Sequence, residues 1–207
     1  LKRYGGITLA TYAPETNSDM ILAPRNSRYE VVQQILDDLD EAISRLKNTT
    51  KSSTGNNGQV TIEAANALKA RVCLFEGTWE KYHKAKNDKF FDSTVTDEKI
   101  RDYFNQAVAA AKEVMDRGVW AIYNTGNKLD DYRQMFQTTD LSGNPEVLWY
   151  KQYDGDQIGN NVNRYLNQGG GSVGVTASLV DDYLTIDGKP FVGDERIEAK
   201  KVFGNEL

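Results

Sequence analysis

Four segments of the chain place apolar residues at the three-and-four spacing that is typical of an amphipathic helix. The first covers residues 28–46, and Ser27 with Glu30 forms an S-x-x-E capping box at its start. Its apolar positions fall on one face, which we expect to be buried, while its acidic positions face water. These apolar positions are Val32, Leu36, Leu39, Ile43 and Leu46.

Two longer helices are predicted after a polar loop at residues 48–58. The second helix covers residues 61–81, and its alanine-rich first half allows a neighbouring helix to approach closely. The third covers residues 98–117, and Gly118 is placed to close it in a left-handed C-cap. Its predicted buried face consists of Phe104, Ala107, Val108, Ala111, Val114 and Met115.

The remaining sequence is less regular, although two short helices are predicted at residues 129–136 and 177–184. Residues 147–153 alternate in polarity and predict a short strand or extended segment. Residues 154–174 are rich in Asn, Gln and Gly and predict a long loop, a kind of segment that is often functional. We therefore predict a mainly α fold, in which a tetratricopeptide-like helical array (residues 1–142) carries an irregular loop-rich part (residues 143–207).

Composition excludes several classes of protein. The 207 residues are 39% hydrophobic and carry a net charge of −5, which suits a folded domain and argues against nucleic-acid binding. Cys73 and His83 are the single residues of their types, which leaves no disulfide framework and little basis for a zinc site or catalytic triad. No apolar run approaches the roughly 20 residues that span a membrane. We expect no cofactor, no metal ion and no enzymatic activity.

A series of short motifs runs over nearly the whole chain. In order they are RYGGI (3–7), PRNS (24–27), ILDDLDEAI (35–43), AANALKARV (64–72), YFNQA (103–107), MF (135–136), EVL (146–148), LVDDY (179–183) and DGKP (187–190). With these motifs in this order, the chain resembles the SusD/RagB family of outer-membrane lipoproteins of Bacteroidetes.

The resemblance implies a cell-surface protein that captures nutrients, usually oligosaccharides, without changing them chemically. Such a protein sits as a lid over a SusC-type TonB-dependent transporter, and tetratricopeptide-like helices support its loop-rich binding face. Family members are longer and carry an N-terminal lipidated cysteine and a further C-terminal part. We therefore interpret the chain as a fragment, whose outer-membrane attachment depends on a lipid anchor upstream.

The candidate glycan site combines aromatic and polar residues of the loop-rich part. Sugars present apolar C–H faces edged by hydroxyl groups, so a site needs flat rings together with amide or guanidinium groups. The alternative for Trp149 and Tyr150 is that they belong to the core, which is also our expectation for Trp79 and Trp120. The candidate site residues are Trp149, Tyr150, Tyr153, Asn161, Asn163, Arg164 and Tyr165.

Other sites are less consistent with the sequence. Asp154 and Asp156 resemble the opening of a calcium loop, but Ile158 and Tyr165 occupy positions that should hold ligands. The triple glycine at 169–171 is not followed by the Lys-Ser/Thr pair of a phosphate-binding loop. Adjacent carboxylates such as Asp130-Asp131 point about 100° apart on a helix, which argues against a glycosidase pair.

Two functions remain open. The first is a glycan-binding module of a nutrient-uptake system, and the alternative is a peptide- or protein-binding helical scaffold of the same system. We expect His83 to be a surface charge in either case.

Overall fold

The computed structural model describes residues 1–16, 18–50, 58–153, 159, 176–185 and 187–190. It forms two compact units, Leu1–Gln152 and Tyr153–Leu207. The first unit contains a short 3-10 helix (Asp19–Leu22) and helices α1 (Arg28–Arg45), α2 (Ile62–Lys86), α3 (Asp97–Asp116) and α4 (Asp131–Gln137). The second contains the short helix α5 (Ala177–Asp181). The mainly α class predicted from the sequence is confirmed.

The three long helices begin where their capping residues predict. In α1, the Ser27 hydroxyl accepts from the Glu30 amide at 3.1 Å, and the Glu30 carboxylate accepts from the Ser27 amide at 2.7 Å. The hydroxyls of Thr61 and Thr96 cap α2 and α3 by accepting from the amides of Ala64 and Lys99, without the reciprocal hydrogen bond of a capping box. The reciprocal hydrogen bonds of the α1 capping box hold the pKa of Glu30 below its usual range.

The core lies where α1 and α3 pack against α2. Helix α2 packs most extensively on α3, and α1 packs on α2 from another side. The predicted buried face of α1 is confirmed at Val32, Leu36 and Leu39, which are buried, whereas Ile43 and Leu46 are half-buried. The core cluster consists of Val32, Leu36, Cys73, Val95, Ile100, Tyr103 and Ala107.

The predicted buried face of α3 is partly wrong. Tyr103 and Ala107 contact the core, whereas Val108 and Met115 are 67% and 70% exposed. The helix carries two adjacent apolar stripes, one with Tyr103 and Ala107 and the other with Val108 and Met115. Packing on α2 buries the first stripe and leaves the second exposed. Gly118 does follow the helix with a φ of 61°, as the left-handed cap requires.

The strand predicted at residues 147–153 is not formed. Leu148 and Trp149 lie in a bend, and none of the described residues belongs to a strand of more than one bridge. In the second unit, Leu184 pairs with Pro190 in a single antiparallel bridge. The turn between them contains Gly188 at a φ of 75°, as its Asp-Gly sequence indicates. Within the described ranges, no helix combines the length and hydropathy needed to cross a membrane.

Gly77 sets how closely α2 and α3 approach. A Cβ atom at this position would lie 3.1 Å from Cε1 of Phe104 and 3.2 Å from Cβ of Tyr103. A Gly77→Ala substitution gains about 1 kcal/mol in helix propensity but forces repacking that costs about 1–3 kcal/mol. We expect the free energy of unfolding, measured in urea, to fall by about 1 kcal/mol. An Arg71→Ala variant, at an exposed position of α2, is the control and should change stability by less than about 0.5 kcal/mol. If Gly77→Ala and Arg71→Ala changed stability equally, the close packing at Gly77 would be contradicted.

Candidate functional site

Trp149 is a surface residue. Its side chain is 62% exposed, so the alternative that placed it in the core is wrong. Tyr150 is half-buried, and its ring lies so close to Gly58 that a Cβ atom there would be 3.5 Å from the ring. Tyr150 therefore anchors the segment against the backbone that precedes α2, while the neighbouring indole remains accessible to a ligand.

The other predicted site residues fall into two groups. Tyr153 is 50% exposed and belongs to the second unit. Asn161, Asn163, Arg164 and Tyr165 lie outside the described residues, as do the calcium-like aspartates Asp154 and Asp156 and the triple glycine.

A groove of about 320 Å³ lies in the first unit, close in sequence to Trp149. Helix α4 and the segments that precede α4 and Trp149 form its walls. The volume is at the lower end of the range for small-ligand sites. The lining residues are Ile122, Tyr123, Asn124, Lys128, Asp131, Tyr132, Met135 and Glu146.

Hydrogen bonds between distant parts of the chain hold the groove in shape. The Ala121 amide donates to the Pro145 carbonyl at 3.1 Å, and the Tyr123 amide donates to Oε2 of Glu146 at 2.9 Å. The Thr125 amide donates to Oδ2 of Asp131 at 2.9 Å and ties the loop to the start of α4. These hydrogen bonds fix the walls of the groove relative to one another, which lowers the entropic cost of binding a ligand there.

The groove presents a flat ring beside several polar groups. Tyr132 is 73% exposed and packs edge-to-face on Phe136, with the ring centroids 5.1 Å apart. The carboxylate of Glu146, the amide of Asn124 and the ammonium group of Lys128 line the same groove. This set can stack on an apolar ligand face and form hydrogen bonds with hydroxyl groups at its edge.

Asp130 and Asp131, the adjacent carboxylates at the start of α4, are not arranged as a catalytic pair. Asp130 accepts from the Arg133 guanidinium, and its carboxyl pKa lies below its usual range chiefly because of that hydrogen bond. Asp131 accepts from Thr125 instead, so the two neighbours face different partners, and only Asp131 lies within α4, because Asp130 is its N-cap residue. In the ranges that the structure describes, no group of three His, Cys, Asp or Glu side chains is placed to hold a metal ion.

The environments of His83 and Trp79 differ from the prediction. His83 packs on Trp79 with the ring centroids 4.2 Å apart, and its Nδ1 lies 2.7 Å from the Asp88 carboxylate. This hydrogen bond is the main reason that the pKa of Asp88 is lowered. His83 is thus a half-buried packing residue, which corrects the expectation of a surface charge. Trp79 and Trp120 are half-buried rather than fully enclosed in the core.

A buried charge cluster of Arg28, Glu76 and Glu80 joins α1 to α2. Nη2 of Arg28 lies 2.6 Å from Oε2 of Glu76, and Nε lies 3.9 Å from Oε1 of Glu80. The guanidinium also stacks on Trp79, 4.1 Å from the ring centroid. Burial and the neighbouring Glu76 carboxylate raise the pKa of Glu80 to about 7. The cluster lies between helices and does not line the groove.

Sequence reasoning missed the groove because its walls are distant in sequence. Tyr123 and Glu146 are 23 residues apart, and only the fold brings them together. The available signal was the density of Tyr, Asn and Asp residues between positions 123 and 132.

No protein-family model matches the chain, and comparisons with curated proteins and with solved structures find no match.

Proposed function

We propose that the chain is a non-catalytic glycan-binding module, with the groove and the exposed Trp149 as its binding surface. The observation that carries the proposal is the groove itself, in which the exposed Tyr132 ring lies beside the Asn124, Lys128 and Glu146 side chains. Saccharides offer the matching combination of apolar faces and hydroxyl edges.

The resemblance to the SusD/RagB family supports the biological setting of this proposal. In that setting the helices form a tetratricopeptide-like array at the outer surface of a Bacteroidetes cell, and a lipid anchor outside this chain attaches the protein. The glycan passes to a SusC-type TonB-dependent transporter. Tyr153, Asn161, Asn163, Arg164 and Tyr165 belong to the second unit and remain the candidates for glycan contacts that the sequence predicts there.

Native gels that contain plant, host or microbial polysaccharides test the proposal directly. We expect at least one polysaccharide to slow migration of the 207-residue chain. Migration that no polysaccharide in a broad panel changes would count against glycan binding.

Removing either exposed ring should weaken binding of the retained glycan. We expect Tyr132→Ala and Trp149→Ala each to raise the dissociation constant about tenfold, since each removes one stacking contact. Both side chains are mostly exposed, so the melting temperature should change little. Tyr12→Ala is the matched control, because Tyr12 is 60% exposed and does not line the groove. Wild-type affinity in both the Tyr132→Ala and the Trp149→Ala variant would show that the site is assigned wrongly.

A peptide or protein ligand is the second candidate function, and one surface favours it. Val108 and Met115 lie seven residues apart on α3 and share an exposed face. Exposed apolar side chains at helical spacing are typical of helix-mediated recognition. Retention of peptides from a defined peptide library, lost in a Met115→Glu variant and accompanied by no glycan binding, would favour this function over the first.

A further inference from the structure

Four rings line a depression of about 210 Å³ at the C-terminal half of α2, and we call this feature the aromatic bowl. The depression and the groove beside Tyr132 share no lining residue. A fifth ring, Phe90, packs edge-on against Trp79, with the centroids 6.2 Å apart. The rings of the bowl are those of Phe75, Trp79, Tyr82 and His83.

The rings of the bowl are held in place by contacts with one another and by hydrogen bonds. Trp79 packs on Phe75 as well as on His83, with centroids 6.1 and 4.2 Å apart. Nε1 of Trp79 donates to the Phe90 carbonyl at 3.4 Å, and Asp88 holds the His83 ring. The bowl is therefore a preformed surface, and Tyr82 adds a ring that is 57% exposed.

Three lysines hold positive charge against these rings. Nζ of Lys2 lies 5.4 Å from the centroid of Phe75. Nζ of Lys81 lies 5.8 Å from that of Tyr82, and Nζ of Lys89 lies 5.2 Å from that of Phe90. None of the three lysines forms an ion pair with another described residue, although acidic residues outnumber basic ones in the chain as a whole.

The acidic groups near the bowl have partners of their own. Asp88 accepts from the Phe90 amide and contacts His83, and Asp97 binds Lys84. Glu76 and Glu80 are buried, and Arg28 opposes their charge. The lysine ammonium groups are the exposed cations at the rim, and the Asp88 carboxylate, whose side chain is 30% exposed, is held by the His83 ring and the Phe90 amide.

We propose that the aromatic bowl is a second saccharide site, and that it takes a negatively charged sugar unit, such as a uronate or a sulfated residue. A ring face accepts the apolar side of the sugar, while the lysine ammonium groups attract its carboxylate or sulfate. A neutral sugar would gain only the stacking contact. The proposal rests on the proposed function in one respect, which is that the ligand is a saccharide.

Isothermal titration of the 207-residue chain with three tetrasaccharides tests the bowl. The probes are tetragalacturonate, a sulfated carrageenan tetrasaccharide and neutral cellotetraose. We expect at least one anionic probe to bind more tightly than cellotetraose, and its affinity to fall at least threefold between about 20 and 200 mM salt. The two anionic probes distinguish carboxylate from sulfate. If neither binds more tightly than cellotetraose, the proposal is overturned.

Variants locate the binding site for the anionic probe. Lys81→Gln/Lys89→Gln should weaken its binding about fivefold, and Tyr82→Ala should weaken it by a similar factor. Arg45→Gln/Lys112→Gln removes the same net charge from exposed positions elsewhere and should have a much smaller effect. Equal effects of the two charge variants would overturn the assignment, because they would indicate non-specific attraction.

Glycan binding at the groove and anionic-sugar binding at the bowl can be tested separately. Tyr132→Ala removes a ring from the groove and should leave binding of the anionic probe at the bowl unchanged. If neutral polysaccharides still slow the chain in gels while the anionic probes fail, the bowl is overturned and the proposed function stands. If the anionic probe binds but depends on Tyr132 rather than on Lys81 and Lys89, the bowl is likewise overturned.

Discussion

An Arg28→Met substitution should lower the free energy of unfolding by about 3–5 kcal/mol, the range observed when one partner of a buried ion pair is removed. The Arg28 and Glu76 side chains are 10% and 1% exposed, and Glu80 is fully buried. Methionine fills much of the same space but leaves two carboxyl groups without their cation. Loss of the guanidinium also removes the stacking contact with Trp79.

Urea unfolding followed by circular dichroism measures this effect, and the chain provides a matched control. Arg45 lies 2.6 Å from Glu41, the distance at which Arg28 meets Glu76, but its side chain is 78% exposed. Arg45→Met should therefore cost less than about 1 kcal/mol. Adding Glu76→Gln to Arg28→Met should restore part of the lost stability, because it removes one uncompensated charge. Similar losses for Arg28→Met and Arg45→Met would contradict the role assigned to burial.

A Glu80→Gln substitution should stabilise the protein at pH 8 and have little effect at pH 4. Burial and the Glu76 carboxylate raise the pKa of Glu80 from its ordinary 4.5 to about 7 in the folded chain. At a pH between 4.5 and 7, Glu80 of the folded state keeps a proton that Glu80 of the unfolded state has released. The contribution of Glu80 to stability is therefore complete below pH 4.5 and is lost as the pH rises through 7.

The size of this effect follows from the difference between the two pKa values. The difference of about 2.5 between 4.5 and 7 corresponds to about 3 kcal/mol, so Glu80→Gln should gain up to that amount over wild type at pH 8. Thermal and urea unfolding across this pH range measure the difference. Glu41→Gln, at an exposed position on α1, is the control and should change stability by less than about 0.5 kcal/mol. A stability difference between Glu80→Gln and wild type that stays constant with pH would rule out the raised pKa.

Features that depend on nearby residues were predictable from the sequence. The capping box of Ser27 and Glu30 and the left-handed Gly118 both follow from local hydrogen bonding and backbone conformation. The first apolar stripe of α1 was also predictable, because the spacing of Val32, Leu36 and Leu39 defines a single face. These features need no knowledge of what packs against the helix.

Features that depend on packing between distant segments were not predictable. In α3 two apolar stripes lie side by side, so only the position of α2 decides that Tyr103 is buried and Val108 exposed. The buried Glu76 and Glu80 resemble ordinary solvent-facing glutamates until Arg28 is placed opposite them, 48 residues earlier in the case of Glu76.

The candidate site shows the same division. An aromatic and polar composition around Trp149 indicated a binding surface, but exposure of its indole depends on how the segment bends after Glu146. The ring of Tyr132 joins a groove only because the loop before α4 is tied to Asp131 and Glu146.

An amide-resolved NMR titration with the glycan retained in gels tests the central claim most directly. If the groove binds the saccharide, the largest shifts will fall on residues 122–135 and 146–149, including the indole N–H of Trp149. Tyr132→Ala should reduce those shifts at the same ligand concentration. Shifts that are absent from these residues, or that are largest on the α3 face around Val108 and Met115, would contradict the proposed glycan site.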